Sequence, residues 1–337
     1  MPTTQIETPT NSHVVRYPQA EKAAIEQMAV FWPAEELGVE EDESDFHNNL
    51  TEGEKHGVLE LQRILTHLEN IIGGKDLWGG RIPELFPRPE IERMCAVFAM
   101  MEKNSHAPFY RIGNEIMGNS TDEFYNEWED IPVLREHTEY VIAMSKSDDA
   151  LEVTASLTFL EGVVLFAAFA FFKSFNSRGF NIIPHFVSGI DASAKDENFH
   201  AMGSSWLFNQ CLLERKVAGL IPEKDTHYSN VIRKIAQGTH DHENAIIDLL
   251  YSYKPETIRT ITKEEMRHFI RDRVNYCLGL FNEPPMFDEP TGVISELFYD
   301  NLNKYKHSDF FATTQVQYTK NWARYKLTFR KELINEF

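Results

Sequence analysis

The chain has 337 residues, a formal net charge of −19 at pH 7, 42% hydrophobic residues and only 17 Gly and 15 Pro. Collagenous, low-complexity and mainly disordered chains are excluded, and the length allows one large domain or two of ordinary size. So large an acidic excess argues against unaided binding to nucleic acid or anionic lipid, because no surplus of Lys and Arg exists to neutralise phosphates.

Residues 1–28 are polar, with Pro2, Pro9 and Pro18 scattered through them, and show no secretory pattern; they read as a flexible N-terminal segment. Cys95, Cys211 and Cys277 lie far apart without CxxC spacing, which suits reduced thiols and a cytoplasmic protein. Residues 29–305 hold no Pro-, Gly- or Ser-rich linker and read as one domain. Within them, apolar residues recur at i, i+3, i+4 and i+7 while alternating stretches are scarce, so the expectation is all-α. The pattern predicts helices over 58–72, closed by Gly73-Gly74, and over 91–117, opened by Pro89-Glu90 and closed by Gly118. Further helices are expected over 121–145, 150–175, 182–217, 224–253 and 263–281. Long helices joined by short connections imply antiparallel neighbours in a bundle. The most apolar run, 163–172, is shorter than the roughly 18 to 20 residues of a bilayer span, and reads as a buried helix. Residues 306–337 are comparatively basic and aromatic without periodicity, and read as a tail.

Four of these helices carry chemistry. Glu69 shares a face with Leu65, Leu68 and Ile72. Glu102 and His106 stand four apart, on one helix face, just before Pro108. Pro108 cannot donate to the carbonyl of Asn104 and crowds it, so a kink or π-bulge is expected between about 104 and 109. Glu161 sits in a strongly apolar helix, where a carboxylate must be neutral, paired or metal-bound. Glu197 and His200 form an ExxH pair on one helix face. Each alone has an ordinary alternative: a buried Arg or Lys beside Glu161, a polar His106 near a kink, a solvated face for Glu197 and His200. Together they are four carboxylates and two imidazoles on four helices, the set with which a bundle holds two iron or manganese ions. Trp78 reads as a packing residue.

On these residues, and on Phe31-Trp32-Pro33-Ala34-Glu35-Glu36, Glu54-Lys55-His56, Pro89-Glu90-Ile91-Glu92, Lys195-Asp196-Glu197-Asn198-Phe199-His200, Phe310-Phe311 and Tyr318, the sequence resembles the small, radical-generating subunit of class I ribonucleotide reductase. The resemblance covers nearly the whole chain and implies a ferritin-like bundle around a dinuclear metal site. It implies that Glu69, Glu102 and His106 serve one metal, that Glu161, Glu197 and His200 complete the other, and that Glu102 and Glu197 bridge. It implies Tyr110 as the radical tyrosine, Trp32 as the electron-relay tryptophan, Asp196 as the link from relay to ligand His, and Tyr318 as the relay tyrosine of the tail. Two ions per chain are expected, iron first, with manganese or a mixed pair as alternatives. The implied partners are a large catalytic subunit, docked through the C-terminal tail, and a second copy of the chain.

The family usually shows ExxH in the second ligand helix, where this chain has ExxxH. Counting from Pro89 places the extra residue between Glu102 and His106, where a π-bulge absorbs it. Keeping register from Glu102 instead would put Ser105 in the ligand position and Phe109 in that of the radical tyrosine; storage of the radical on the metals is the other alternative. A di-metal oxygenase on the same bundle would need neither Trp32 nor Tyr318. Iron-storage chains are roughly half this length.

Overall fold

The computed structural model describes residues 4–289, 291–296 and 298, all within one compact unit. Among the described residues the secondary structure is helical, with no strand. We label the principal helices α1 (Pro18–Ala29), α2 (Glu52–Ile72), α3 (Pro89–Met101, continued through Glu102–His106 to Ala107–Ile116), α4 (Pro132–Met144), α5 (Ala150–Phe159, continued through Leu160–Val164 to Phe166–Ser174), α6 (Pro184–Val217), α7 (His227–Leu250) and α8 (Lys263–Leu280).

Local chemistry explains where they start and stop. Thr51 and Glu54 form a capping box at the head of α2, and Thr262 and Glu265 repeat it on α8, each satisfying two backbone donors reciprocally. Prolines at the first position open α1, α3, α4 and α6, where a missing N–H costs nothing. The N-terminus of α6 is also held by acid: Asp45 accepts from the Ile183 N–H and Asp42 from the Phe186 N–H, at 2.9 and 2.7 Å. Gly118, at φ +77°, ends α3 in the left-handed conformation that glycine tolerates.

Gly73 closes α2 as expected but with an ordinary right-handed φ of −77°. Space decides there: a Cβ would collide with that of Glu102, so glycine lets the end of α2 approach the ligand-bearing turn of α3.

Three expectations need correcting. The helix predicted over 121–145 is broken into Asp122–Asn126, the 3-10 turn Glu127–Glu129 and α4, because Pro132 forces Ile131 into an extended conformation. Residues 4–28, expected to be flexible, carry α1 and are held down: Ile6 is fully buried, its N–H donates to Glu214, and Arg215 pairs with Glu7 at 2.6 Å. The apolar stretch around 163–172 extends over Ala150–Ser174, which by length and composition is apolar enough to cross a membrane; its most apolar window is entirely buried in the bundle. Residues 306–337, with Tyr318, lie outside the described residues.

Candidate metal centre

α2, α3, α5 and α6 bring Glu69, Glu102, His106, Glu161, Glu197 and His200 to one place in the core, each fully buried. Their donor atoms form two overlapping groups, Glu69, Glu102, His106 and Glu197, and Glu102, Glu161, Glu197 and His200, with the atoms of each group within 4.8 Å of one another. The shared members, Glu102 and Glu197, each face both histidines. Glu102 presents one oxygen to His106 Nδ1 and the other to His200 Nδ1, both at 2.7 Å. Glu197 does likewise, at 2.9 and 3.2 Å. Glu69 and Glu161 stand at opposite ends, 3.8 Å from His106 and 3.9 Å from His200.

Backbone distortions aim two of these carriers. Glu102–His106 is a π-turn, with the Ala107 N–H bonded to the Glu102 carbonyl, an i to i+5 bond. The wider turn brings Glu102 and His106 together despite their spacing of four. It lies slightly upstream of the predicted stretch. Within it Ser105 turns away from the carboxylates, donating its hydroxyl to the Trp32 carbonyl at 2.5 Å. A second π-turn, Leu160–Val164, carries Glu161 and was not anticipated.

The electrostatics of the pocket are those of a cation site. Burial, then the Glu197 carboxylate, push Glu69 well above the usual carboxylate range; burial, Glu197 and Glu102 do the same to Glu161. Burial also acts to raise Glu102 and Glu197, but the two imidazoles outweigh it and hold both below that range. Burial acts to lower His106 and His200, yet Glu102 and Glu197 raise His106 well above its ordinary value and His200 to about 9. The imidazoles thus favour the ionised form of the two shared carboxylates, while burial favours the neutral form of the two outer ones. Cations entering the pocket would compete with protons for these oxygens and nitrogens. Although the shared carboxylates stand close to both imidazoles, both oxygens of Glu69, Glu102 and Glu197, Oε2 of Glu161 and Nδ1 of both histidines make no well-aligned hydrogen bond among the described residues. Orphaned hard oxygen donors with imidazole nitrogens fit a pair of first-row ions.

Around the centre, His106 turns Nε2 to Asp196 at 3.1 Å. Asp196 also accepts from Trp32 Nε1 at 2.8 Å and from Gln27 Nε2 at 2.9 Å. Trp32 stacks on His106, ring centroids 5.5 Å apart. Tyr110 is fully buried against Phe109 and Phe186, and burial, then the Glu69 carboxylate, push its phenol well above the ordinary value. Trp78 does more than pack: its Nε1 donates to Glu161, and its ring meets Phe98, which in turn covers His200 at 4.3 Å. Neither Trp78 nor Gln27 carried a signal, since each reaches the centre from a part of the chain with no ligand spacing.

The sequence model of the family described as "Ribonucleotide reductase, small chain" matches residues 10–292. A probable ribonucleoside-diphosphate reductase small subunit of Invertebrate iridescent virus 3 is 24% identical over 314 residues, covering 86% of this chain and 78% of its own. Among solved structures, dimanganese(II)-NrdF of Streptococcus sanguinis superposes with a TM-score of 0.72 at 18% identity, covering 88% of this chain and 99% of its own. The Rnr4 homodimer of Saccharomyces cerevisiae gives 0.70 at 18% identity, covering 90% and 93%.

Proposed function

The chain belongs to the small-chain family of ribonucleotide reductase, and from that premise we propose that its six-ligand centre takes two metal ions and serves to oxidise Tyr110. The oxidising equivalent is then delivered by way of Asp196, Trp32 and Tyr318 to a large catalytic subunit that reduces ribonucleotides. The oxidoreductase activity belongs to the pair of subunits, and this chain is its radical-generating member. Held by these six residues, two redox-active ions would supply oxidising power taken from oxygen or a reduced oxygen species. Iron is the first choice, with manganese or a mixed pair as alternatives, because first-row ions share these ligands and availability decides.

The chain's own residues do the rest. Glu102 and Glu197 fix the two sites at a common spacing, and Glu69 and Glu161 close the ends. Burial favours the protonated phenol of Tyr110 beside Phe109 and Phe186, so losing an electron there would be coupled to losing that proton. Asp196 orients His106 through Nε2 and ties it to Trp32, whose ring stacks on the His106 imidazole. The observation that carries this reading is the geometry of Glu102 and Glu197, each offering one oxygen to each histidine within 3.2 Å.

Supporting the wider reading, the three cysteines are free and buried, which suits the reducing cytoplasm. The C-terminal tail docks on the large subunit, and the chain works as a homodimer. Metal analysis with electron paramagnetic resonance after aerobic reconstitution tests the proposal. About two ions per chain and a tyrosyl signal are expected. Tyr110→Phe should keep the ions and lose the signal. A tyrosyl signal that survives that change would move the radical to another residue, and turnover without any such signal would place it on the ions.

A further inference from the structure

Arg273 on α8 is fully buried, yet the acceptors it reaches among the described residues are neutral. Its Nε donates to the Gly162 carbonyl at 2.8 Å, and both terminal nitrogens lie 3.3 Å from Asn198 Oδ1. The guanidinium carbon sits 3.8 Å from the centroid of Phe166 and 4.4 Å from that of Tyr276. Ring faces offset part of the cost of burying a cation, but an apolar side chain of similar volume would pack there at no such cost. What distinguishes the position is what it joins. Gly162 directly follows Glu161 in the π-turn of α5, and Asn198 directly follows Glu197 on α6. One planar fork therefore holds both segments that carry these carboxylates.

The π-turn makes the contact available. A helix widened by one residue leaves backbone groups out of register with the regular ladder, free for side chains to satisfy. At Gly162 a Cβ would run into Cys277 Sγ, one turn beyond Arg273 on α8, so glycine is what allows α8 to approach the turn this closely. Beyond the turn, the buried Glu243 of α7 accepts the Ala167 N–H at 3.3 Å. The distortion that aims Glu161 is thus braced from outside the ligand helices.

We infer that Arg273 is a positioning residue of the metal centre, setting the spacing between Glu161 and Glu197 through Gly162 and Asn198. This rests on the ligand reading above. A guanidinium is suited to the task because its rigid fork serves two acceptors at once, where an ammonium is a point donor.

Equilibrium Mn(II) titration, the electron paramagnetic resonance spectrum of the Mn(II)-loaded protein and the melting temperature of the metal-free protein test it, in Arg273→Met, Arg273→Lys, Asn198→Ala and Glu161→Ala. Arg273→Met should melt at or above the wild-type temperature, weaken at least one Mn(II) site by about tenfold or more, and replace the spin-coupled pair spectrum with that of isolated ions. Arg273→Lys should recover part of the affinity. Wild-type titration and spectrum in Arg273→Met, alongside loss of an ion in Glu161→Ala, overturns the inference and spares the ligand reading. Retention of both ions in Glu161→Ala overturns the ligand reading itself. Should Arg273→Met fail to fold, Asn198→Ala decides, since Asn198 is only half-buried and its loss removes the α6 arm of the fork together with its bond to Tyr276; wild-type affinity there overturns the inference.

Discussion

Asp196 accepts from Gln27, Trp32 and His106, three donors from three parts of the chain, and so fixes the His106 ring so that Nδ1 faces the carboxylates. Removing one donor leaves two, so Trp32→Phe should retain about two ions per chain while turnover with the large subunit stops. Loss of the ions would make Trp32 a structural support of the site rather than a relay. Elsewhere in the core, His137 and Glu243 approach to 3.8 Å, but burial pushes Glu243 up and His137 down to about 3, so the pair is neutral. A histidine with its folded pKa depressed stabilises fully above its unfolded value of 6.5, and that stability drains away as pH falls toward 3. From pH 6.5 to 5 the group should remove about 1.6 kcal/mol from the metal-free protein, the slope growing toward about 1.36 kcal/mol per unit as the unfolded imidazole fills with protons. Urea unfolding at the two pH values should show His137→Gln losing that much less than wild type; equal losses would mean that His137 titrates normally. The buried carboxylate cluster was legible in the sequence because a carboxylate in an apolar helix is costly wherever the chain goes, as at Glu161. Trp78 and Gln27 were not, because a lone donor shows no spacing until the fold brings its acceptor to it.

Two helices of the bundle are widened at the centre, and only one advertised it. The turn at Glu102–His106 could be foreseen from two local facts, an extra residue between two ligand types and a proline shortly after. The turn at Leu160–Val164 holds a single ligand and no proline, so nothing in its sequence sets a spacing to be violated. Lys103 and Asn104 are exposed within the first turn, the natural place for an inserted residue to loop outward. Deleting Asn104 should therefore restore a regular helix with Glu102 and the histidine at i and i+3, still on one face. The deletion variant is expected to hold about two ions and to melt at or above the wild-type temperature. A variant that folds but binds neither ion would show that the π-turn itself sets the ligand geometry. The broken helix over 121–145 teaches the opposite lesson: apolar periodicity ran on through a proline whose effect on the preceding residue was readable and outweighed it.

For the whole molecule, the sequence predicted a bundle because periodicity of 3.6 recurs over most of the chain, and the helices follow in the predicted order. It mistook the N-terminal segment for a loose end, since polar composition does not reveal that Glu7 meets Arg215 across the fold. Removing residues 330–337 should leave metal content and melting temperature unchanged and abolish co-sedimentation with the large subunit; Tyr318→Phe should co-sediment normally and fail in turnover. Activity in Tyr318→Phe would pass the relay to another residue, Tyr325 being the next in line.

The burial of Ala150–Ser174 has a consequence for the chain while it is being made. This segment leaves the ribosome before α6, α7 and α8 exist to cover it, and at that moment it resembles a stretch the insertion machinery would hand to a bilayer. Glu161 lies near its middle, where an ionised side chain raises the cost of lipid insertion by about 2.5–3.5 kcal/mol. The same carboxylate that faces the buried cluster in the finished protein thus biases the nascent helix toward water until its partners arrive.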